Sequence, residues 1–434
     1  FMKATRGSYK LGIEFVDWGG LGQRYFHPFG VYGSGPDLGG FPQAYFALEA
    51  RGGAGTLADY SMCVQAAVRQ RMGDAVQNPA SPYSQLHSAY HFDAVLYAKH
   101  LRGFCERMGV KRVEGEVVNV ALRGEDGFVE SITLKDGQVI SGELFIDCTG
   151  FRGLLIEGAL QTGYEHWDRW LPMDRAVAVP CAKVAGITPY TRSTAREAGW
   201  QWRIPLQHRT GNGYVFSSKF ISEDEATAVL LRNLDGEVLA EPRVLRFHTG
   251  RRRKLWNKNV VALGLASGFI EPLESTSIHM IQSGLVRLLQ HFPDKTFDPV
   301  NIEVYNSRAI AESELIRDFI ILHYHVTARD DAPMWNEVRT MSVPDRLKER
   351  IDIYRHRGLI VSSTDELFSQ SSWLAVLHGQ AGPPKAHNPL YERGAAKSEP
   401  QMAAMRTAIA QAADKLLDHE AYLARRGMTE AQAA

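Results

Sequence analysis

This sequence of 434 residues has no excess of either charge. Lysine plus arginine and aspartate plus glutamate stand at 49 each, so no net field draws the chain to nucleic acid or to an anionic membrane. No apolar run approaches the roughly 20 residues that cross a bilayer. Cysteine is scarce: Cys63, Cys105, Cys148 and Cys181 stand far apart without a C-x-x-C pair, which argues against a zinc site or a disulfide framework and fits a reducing cytoplasm. A dinucleotide fingerprint is also missing, since G-x-G-x-x-G must follow a strand and open a helix. The nearest match, G-A-G-T-L-A at 53–58, follows A-L-E-A-R-G, which is not a β run. The chain opens on Phe1 in the run-up to a strand, so its natural amino terminus is expected upstream and the lack of a targeting signal carries no weight.

What is present centres on residues 260–290. An apolar strand at 260–263 runs into a glycine-containing turn and then a helix expected from about Ser275, with Ile278, Ile281, Leu285, Leu288 and Leu289 at helical spacing. Ser275 or Thr276 is placed to cap its first turn. The unpaired N–H groups and positive dipole end there favour an anion, and Glu274 sits beside them; taken alone, Glu274 reads as a complement to that dipole. Upstream, 9–16 alternates, with Tyr9, Leu11, Ile13 and Phe15 on one face and Lys10, Gly12 and Glu14 on the other, which predicts a half-buried strand and a solvent-facing Lys10. A glycine-, proline- and aromatic-rich stretch follows, of a length that is usually functional.

The pattern then predicts helices at 57–72 and 91–108, the latter turning Phe92, Val95, Leu96, Leu101 and Phe104 inward. Three β runs at 112–122, 128–134 and 138–147 are separated by E-D-G and K-D-G turns. Long antiparallel strands fill 174–220, and Ser222 with Glu225 forms a capping box that opens a helix. The basic run 251–254 reads as a solvated turn. After Pro299 helical periodicity takes over, at 303–325, 344–357 and 398–425, which sets a boundary near 300: domains at 1–300 and 301–434. His323 and His325 with Asp330 and Asp331 are given structural roles, because H-Y-H on a helix points its rings apart, and no metal is expected. His87 and His91, four apart beside Tyr90 and Phe92, read as the start of the 91–108 helix.

Three segments carry a family resemblance. F-I-E-P-L-E-S-T-S at 269–277 resembles the F-x-x-P-x-x-S-x-G signature of flavin-dependent tryptophan halogenases, W-Q-W-R-I-P at 200–205 matches their W-x-W-x-I-P signature, and G-S-Y-K-L-G-I-E-F-V-D-W at 7–18 looks like their lysine segment. The resemblance implies an α/β (α+β), FAD-dependent monooxygenase-like fold of two modules, with an incomplete N-terminal Rossmann unit and a C-terminal helical cap. It implies that reduced FAD and O2 convert chloride or bromide to hypohalous acid, which Lys10 engages. Such an amine needs a poorly solvated pocket, where burial lowers its pKa from about 10.4. By the same mapping Glu274 stabilises the cationic ring or takes its proton, and Thr276 and Ser277 bind halide through backbone N–H groups. Ser277 stands where the motif has glycine, and its donor survives if φ is negative.

His27 and Phe29, in F-H-P-F-G, match the residues that sandwich the indole, although an ordinary aromatic loop packs the same way. Trp373 is a further candidate wall. The region 368–380 is shorter than in the tryptophan-specific enzymes, so free indole or a larger indolic compound stays open as substrate. Trp200 and Trp202 share a strand face; they read partly as core, and the resemblance has them keep substrate from the flavin. For the flavin itself it points to Val117, Leu265 and Ile278. The expected partners are an indolic substrate and a separate flavin reductase supplying FADH2, without nucleic acid or membrane; a homodimer stays open. Two alternatives stand beside the halogenase: an aromatic flavin hydroxylase, and a non-catalytic fragment that has lost FAD.

Overall fold

The computed structural model describes residues 1–33, 40–363 and 366–429, so part of the aromatic loop, 34–39, lies outside the described residues. Contacts divide the chain into two compact units, Phe1–Phe104 with Arg175–Leu245 and Ile321–Ala434, and Cys105–Asp174 with Arg246–Ile320. The division does not fall at residue 300. A helix expected from 303 begins at Pro299 and runs to His325, and the division cuts it at 320. The chain crosses between the units repeatedly, and a break in composition along the sequence does not register such crossings.

The strands of the first unit that frame the site are β1 Ser8–Lys10, β2 Gly12–Val16, β3 Arg24–Pro28, β4 Ala89–His91, β5 Arg175–Ala182, β6 Thr191–Arg196, β7 Gly199–Pro205, β8 Arg209–Phe216 and β9 Arg243–Arg246. Its main sheet has the order β9-β5-β8-β7-β6-β2-β3. Pairing is antiparallel from β5 to β6, parallel between β6 and β2, where Thr191 faces Ile13, and antiparallel again between β2 and β3. β1 leaves this sheet and pairs with β4, with Ser8 opposite His91 and Lys10 opposite Ala89.

The single strand expected over 9–16 is therefore two. It breaks at Leu11, whose N–H donates to Pro189 O at 2.7 Å. Nor is it half-buried: Lys10 and Gly12 are as enclosed as their apolar neighbours. Helix Leu390–Asp414 packs on Gly40–Glu49 and Met62–Val68, and the expected helix 398–425 is interrupted where Leu417–Asp418 pairs with Arg71–Met72. The helix expected over 91–108 is Ala94–Arg107. Asp93 caps it through Val95 N–H at 3.0 Å and Leu96 N–H at 3.2 Å, while His91 belongs to β4. Its apolar face does not turn inward as expected: none of its residues is buried, and Val95 is 78% exposed.

The second unit contains the expected meander, Val117–Leu122, Val129–Leu134 and Val139–Ser141. The last β run divides, and its end, Phe145–Asp147, pairs in parallel with the central strand Val260–Ala262. Val129, Leu155, Ile156, Val260, Ala262 and Ala266 form one core cluster around that pairing. The basic run is a solvated turn only in its second half, Arg253 and Lys254. Arg251 and Arg252 lie in strand Gly250–Arg252 at 6% and 5% exposure. Arg251 pairs with Glu165 and Glu314, and Arg252 with Glu157, so carboxylates make their burial tolerable.

Candidate active site

In the first unit the site grows from the hairpin beside Lys10. Lys10 closes β1, is 4% exposed, and holds its Nζ 5.3 Å from the centre of the Phe29 ring. The solvent-facing lysine expected from alternation is thus a buried one, because the strand is covered on both faces. Phe29 is brought there by its N–H, which donates to Leu11 O at 3.0 Å. Gly12 permits that closeness, since a Cβ there would collide with His27 O and stand 2.9 Å from Pro28 Cα. Gly30 seats the loop against helix Met62–Val68, where a Cβ would come within 2.5 Å of Gln85 O and 2.7 Å of Cys63 Sγ. Tyr32 closes the turn through its hydroxyl to Phe26 O at 2.7 Å.

His27 is buried, and its ring lies 6.2 Å from that of Phe368, tilted by 50°. Phe368 was not among the residues singled out from the sequence, although it lies in the same F-S-Q-S-S-W segment as Trp373. Trp373 is 1% exposed, with the Arg350 guanidinium 4.7 Å from its ring. Arg350 is held by Glu366, whose carboxyl burial would raise and the Arg350 hydrogen bonds lower; the net shift is downward. Trp200 and Trp202 do share a face, 6.0 Å apart and tilted by 56°. Trp200 is buried and lies 6.4 Å from Trp18, while Trp202 is half-buried and lies across Gly213.

The second unit holds the other candidates. Pro272–Glu274 forms a short 3-10 turn, Ser275 takes the left-handed conformation at φ 59, and the helix begins at Ser277, two residues later than expected. Thr276 occupies the N-cap position without a side-chain cap bond. Its hydroxyl is buried, at 2% residue exposure, with no hydrogen-bond partner. Ser277 is helical, so its φ is negative and its N–H points out of the helix start as a donor. Glu274 is half-buried. Leu265 sits in the turn Gly264–Ala266, and Leu265 and Ile278 are 39% and 41% exposed. Val117 is half-buried at the start of the meander.

Two supporting residues had no motif to reveal them. Asp147 is fully buried at the end of its strand and accepts from the N–H groups of Thr149 at 2.9 Å, Leu155 at 2.9 Å and Ile156 at 2.8 Å. Arg252 fixes the turn of Leu265 by donating to Ala266 O at 3.1 Å. The histidines outside the site have local roles: His323 Nδ1 lies 3.1 Å from Tyr25 Oη, and Asp331 is paired with Arg329.

Comparison with solved structures defines the class. The flavin-dependent halogenase BrvH from Brevundimonas sp. BAL3 superposes with a TM-score of 0.95 at 43% identity, covering 99% of this chain and 87% of that one. The tryptophan 6-halogenase SttH from Streptomyces toxytricini superposes with a TM-score of 0.88 at 33% identity, covering 98% and 86%. The fold is that of a flavin-dependent halogenase. In sequence, the tryptophan halogenase family model matches residues 1–396. The 7-chloro-L-tryptophan 6-halogenase KtzR of Kutzneria sp. (strain 744) is 35% identical over 459 residues, covering 98% of this chain and 87% of that protein. The chain belongs to the tryptophan halogenase family, whose enzymes are flavin-dependent oxidoreductases.

The family implies FAD, and part of this chain fits it. The turn Gly264–Ala266, with Gly264 at φ 61, and the exposed Leu265 and Ile278 offer backbone and apolar edge to a flat ring. The glycines at 53–58 do not fit a diphosphate. Gly53 N–H closes helix Gly40–Glu49 by donating to Leu48 O at 3.0 Å, so this is a helix end, and a Cβ on Gly55 would collide with Arg406. Among the described residues no helix is long and apolar enough to cross a membrane.

Proposed function

We propose that this enzyme halogenates an indole, tryptophan or a relative of it, with chloride or bromide, through Lys10 and Glu274. FADH2 comes from a separate flavin reductase, and the reaction takes place in a reducing cytoplasm, a setting supported by four free cysteines. The observation that carries the reading is the burial of Lys10 with its amine against the Phe29 ring, in the same hairpin as His27. A lysine kept from water at an aromatic loop suits the capture of a small neutral oxidant beside a flat substrate. Reduced FAD, when bound, would activate O2, the oxidant that turns halide into hypohalous acid; Leu265, Ile278 and Val117 would hold its edge.

The residues of the chain then divide the work. The N–H groups of Thr276 and Ser277 and the Thr276 hydroxyl are donors for the halide. Lys10 donates a hydrogen bond to the hypohalous acid and directs its halogen to the ring, or carries the halogen itself as a chloramine. His27 and Phe29 hold the indole between two faces. Glu274 stabilises the cation formed on the ring and accepts its proton. Trp200 and Trp202 hold substrate away from the flavin.

The test uses the purified chain with FADH2, O2, halide and an indole panel. The product should carry a chlorine or bromine isotope pair; a single added oxygen would make the enzyme a hydroxylase. Lys10→Ala should lower halogenation by about 10²-fold or more while flavin reoxidation continues, and Glu274→Gln should depress turnover strongly with flavin binding kept. Loss of reoxidation in the lysine variant, or an unchanged rate in the glutamine variant, removes that residue from the mechanism. A flavin titration that never saturates selects the non-catalytic alternative.

A further inference from the structure

We infer that His91, as a neutral imidazole protonated on Nδ1, is a positioning residue that holds β1 and so fixes Lys10; the inference rests on the role proposed for Lys10. The hydrogen bonds leave one assignment of protons. Ser8 Oγ donates its only proton to Pro205 O at 2.7 Å. The 3.2 Å contact between Ser8 Oγ and His91 Nδ1 therefore needs the proton on nitrogen. Nε2 is then a bare acceptor, and the Thr191 hydroxyl, 2.9 Å away, donates to it. The chain Thr191, His91, Ser8, Pro205 thus runs in one direction and ties β1, β4, β6 and the end of β7 together.

Its place in the register gives it leverage. His91 is paired opposite Ser8, and Lys10 is two residues along the same strand, opposite Ala89. The two strands are pressed close at this end: a Cβ on Gly7 would come within 2.8 Å of His91 O. His91 is 4% exposed, and the charged and titratable groups that act on it, Lys10, His419 and Arg203, all disfavour a second proton. Burial is the larger cause, and together they hold its pKa well below the usual histidine value. His419 secures the next residue, accepting from Tyr9 N–H on Nε2 at 3.1 Å with its Nδ1 2.8 Å from Ile187 O. Both nitrogens of each ring are engaged by hydrogen bonds within the fold, so the role of each is positioning.

Two measurements test this. With ¹⁵N-histidine labelling and His91→Asn for assignment, the His91 resonances should show a protonated Nδ1 and a bare Nε2, with no titration from pH 8 down to about pH 6; a protonated Nε2 or a midpoint in that range overturns the inference. In turnover, His91→Phe should lower kcat for halogenation by tenfold to about 10²-fold, with the KM for indole and the rate of flavin reoxidation within twofold of the parent. His91→Asn, which keeps a donor towards Ser8, should recover most of that loss. An unchanged kcat in the phenylalanine variant, a loss confined to KM, or no recovery with asparagine overturns the inference. If the phenylalanine variant does not fold, Thr191→Val carries the same test: it should lower kcat in the same direction and shift the Nε2 resonance, and an unmoved resonance sinks the idea. If the parent yields no halogenated product, the reading of Lys10 fails, and the resonances still decide whether His91 is the latch.

Discussion

Thr276 is a hydroxyl in an unfavourable place. It is buried, partnerless and set at the first turn of a helix, and a hydroxyl left unpaired in the interior costs about 1–3 kcal/mol. A halide seated at the helix start would accept a hydrogen bond from it, which a methyl group could not provide, and so remove that cost. Thr276→Val keeps the shape and deletes the donor. The variant should be as stable as the parent or slightly more so without halide, while its apparent KM for chloride or bromide should rise by about ten- to 10²-fold, since a hydrogen bond to a charged group contributes about 1.5–3 kcal/mol. Halide-dependent steady-state kinetics with a urea melt would check this, and an unchanged halide KM takes the hydroxyl out of the site. At this scale the sequence marked Thr276 and Ser277 through a motif, but the partnerless state of the hydroxyl depends on what lies around it. Lys10 shows the same limit more sharply. Alternation along 9–16 separates two faces without telling whether the second is covered, and here it is.

Strands and helices differ in how much of their environment they announce. W-Q-W within β7 places Trp200 and Trp202 on one face by period alone, and the rings are neighbours. What lies beneath Trp202 comes from β8, where Gly213 faces it directly across the ladder. A Cβ on Gly213 would collide with the Trp202 ring. Gly213→Ala should therefore push that ring out of its seat, lowering stability by about 1–3 kcal/mol as overpacking does and changing the near-ultraviolet circular dichroism; unchanged spectra and stability would mean that the ring has room to move. Helix Ala94–Arg107 is the converse. Its apolar spacing identified it as a helix with a face to bury, yet none of its residues is buried. Periodicity reports that a face exists, and whether anything covers it is decided by distant parts of the chain. The same holds for the 251–254 run, where Arg251 and Arg252 are buried because Glu157, Glu165 and Glu314 reach them from other segments, while Arg253 and Lys254 stay exposed.

Across the whole molecule, the titratable groups are not spread evenly between the two units. His91, His208, His325 and His419 all have pKa values lowered, with burial the largest cause in each, and all four belong to the first unit. The sign follows from the reference state. Unfolded, each takes up a proton as pH falls through about 6.5, whereas folded it stays neutral to lower pH. The unfolded form binds more protons below that value, so stability is present above about pH 6.5 and is lost progressively beneath it, with a slope approaching about 1.4 kcal/mol per pH unit for fully buried His91. Lowered carboxyls act later. Asp93 and Glu366 in the first unit and Glu312 in the second are raised by burial but more strongly lowered by hydrogen bonds to arginine and other donors, so their contribution is lost only as pH falls through about 4. Acidification from pH 7.5 to 5.5 should thus weaken the first unit well before the second. Hydrogen exchange read peptide by peptide should show protection falling first in β1, β4 and helix His419–Arg425, with Val260–Ala262 and its partner Phe145–Asp147 protected to lower pH. His91→Asn should make the pH dependence of the first unit shallower, because one of the four imidazoles that discriminate between the folded and unfolded states near pH 6 is gone. Equal loss of protection in both units over that range would show that the buried imidazoles do not set the acid limit.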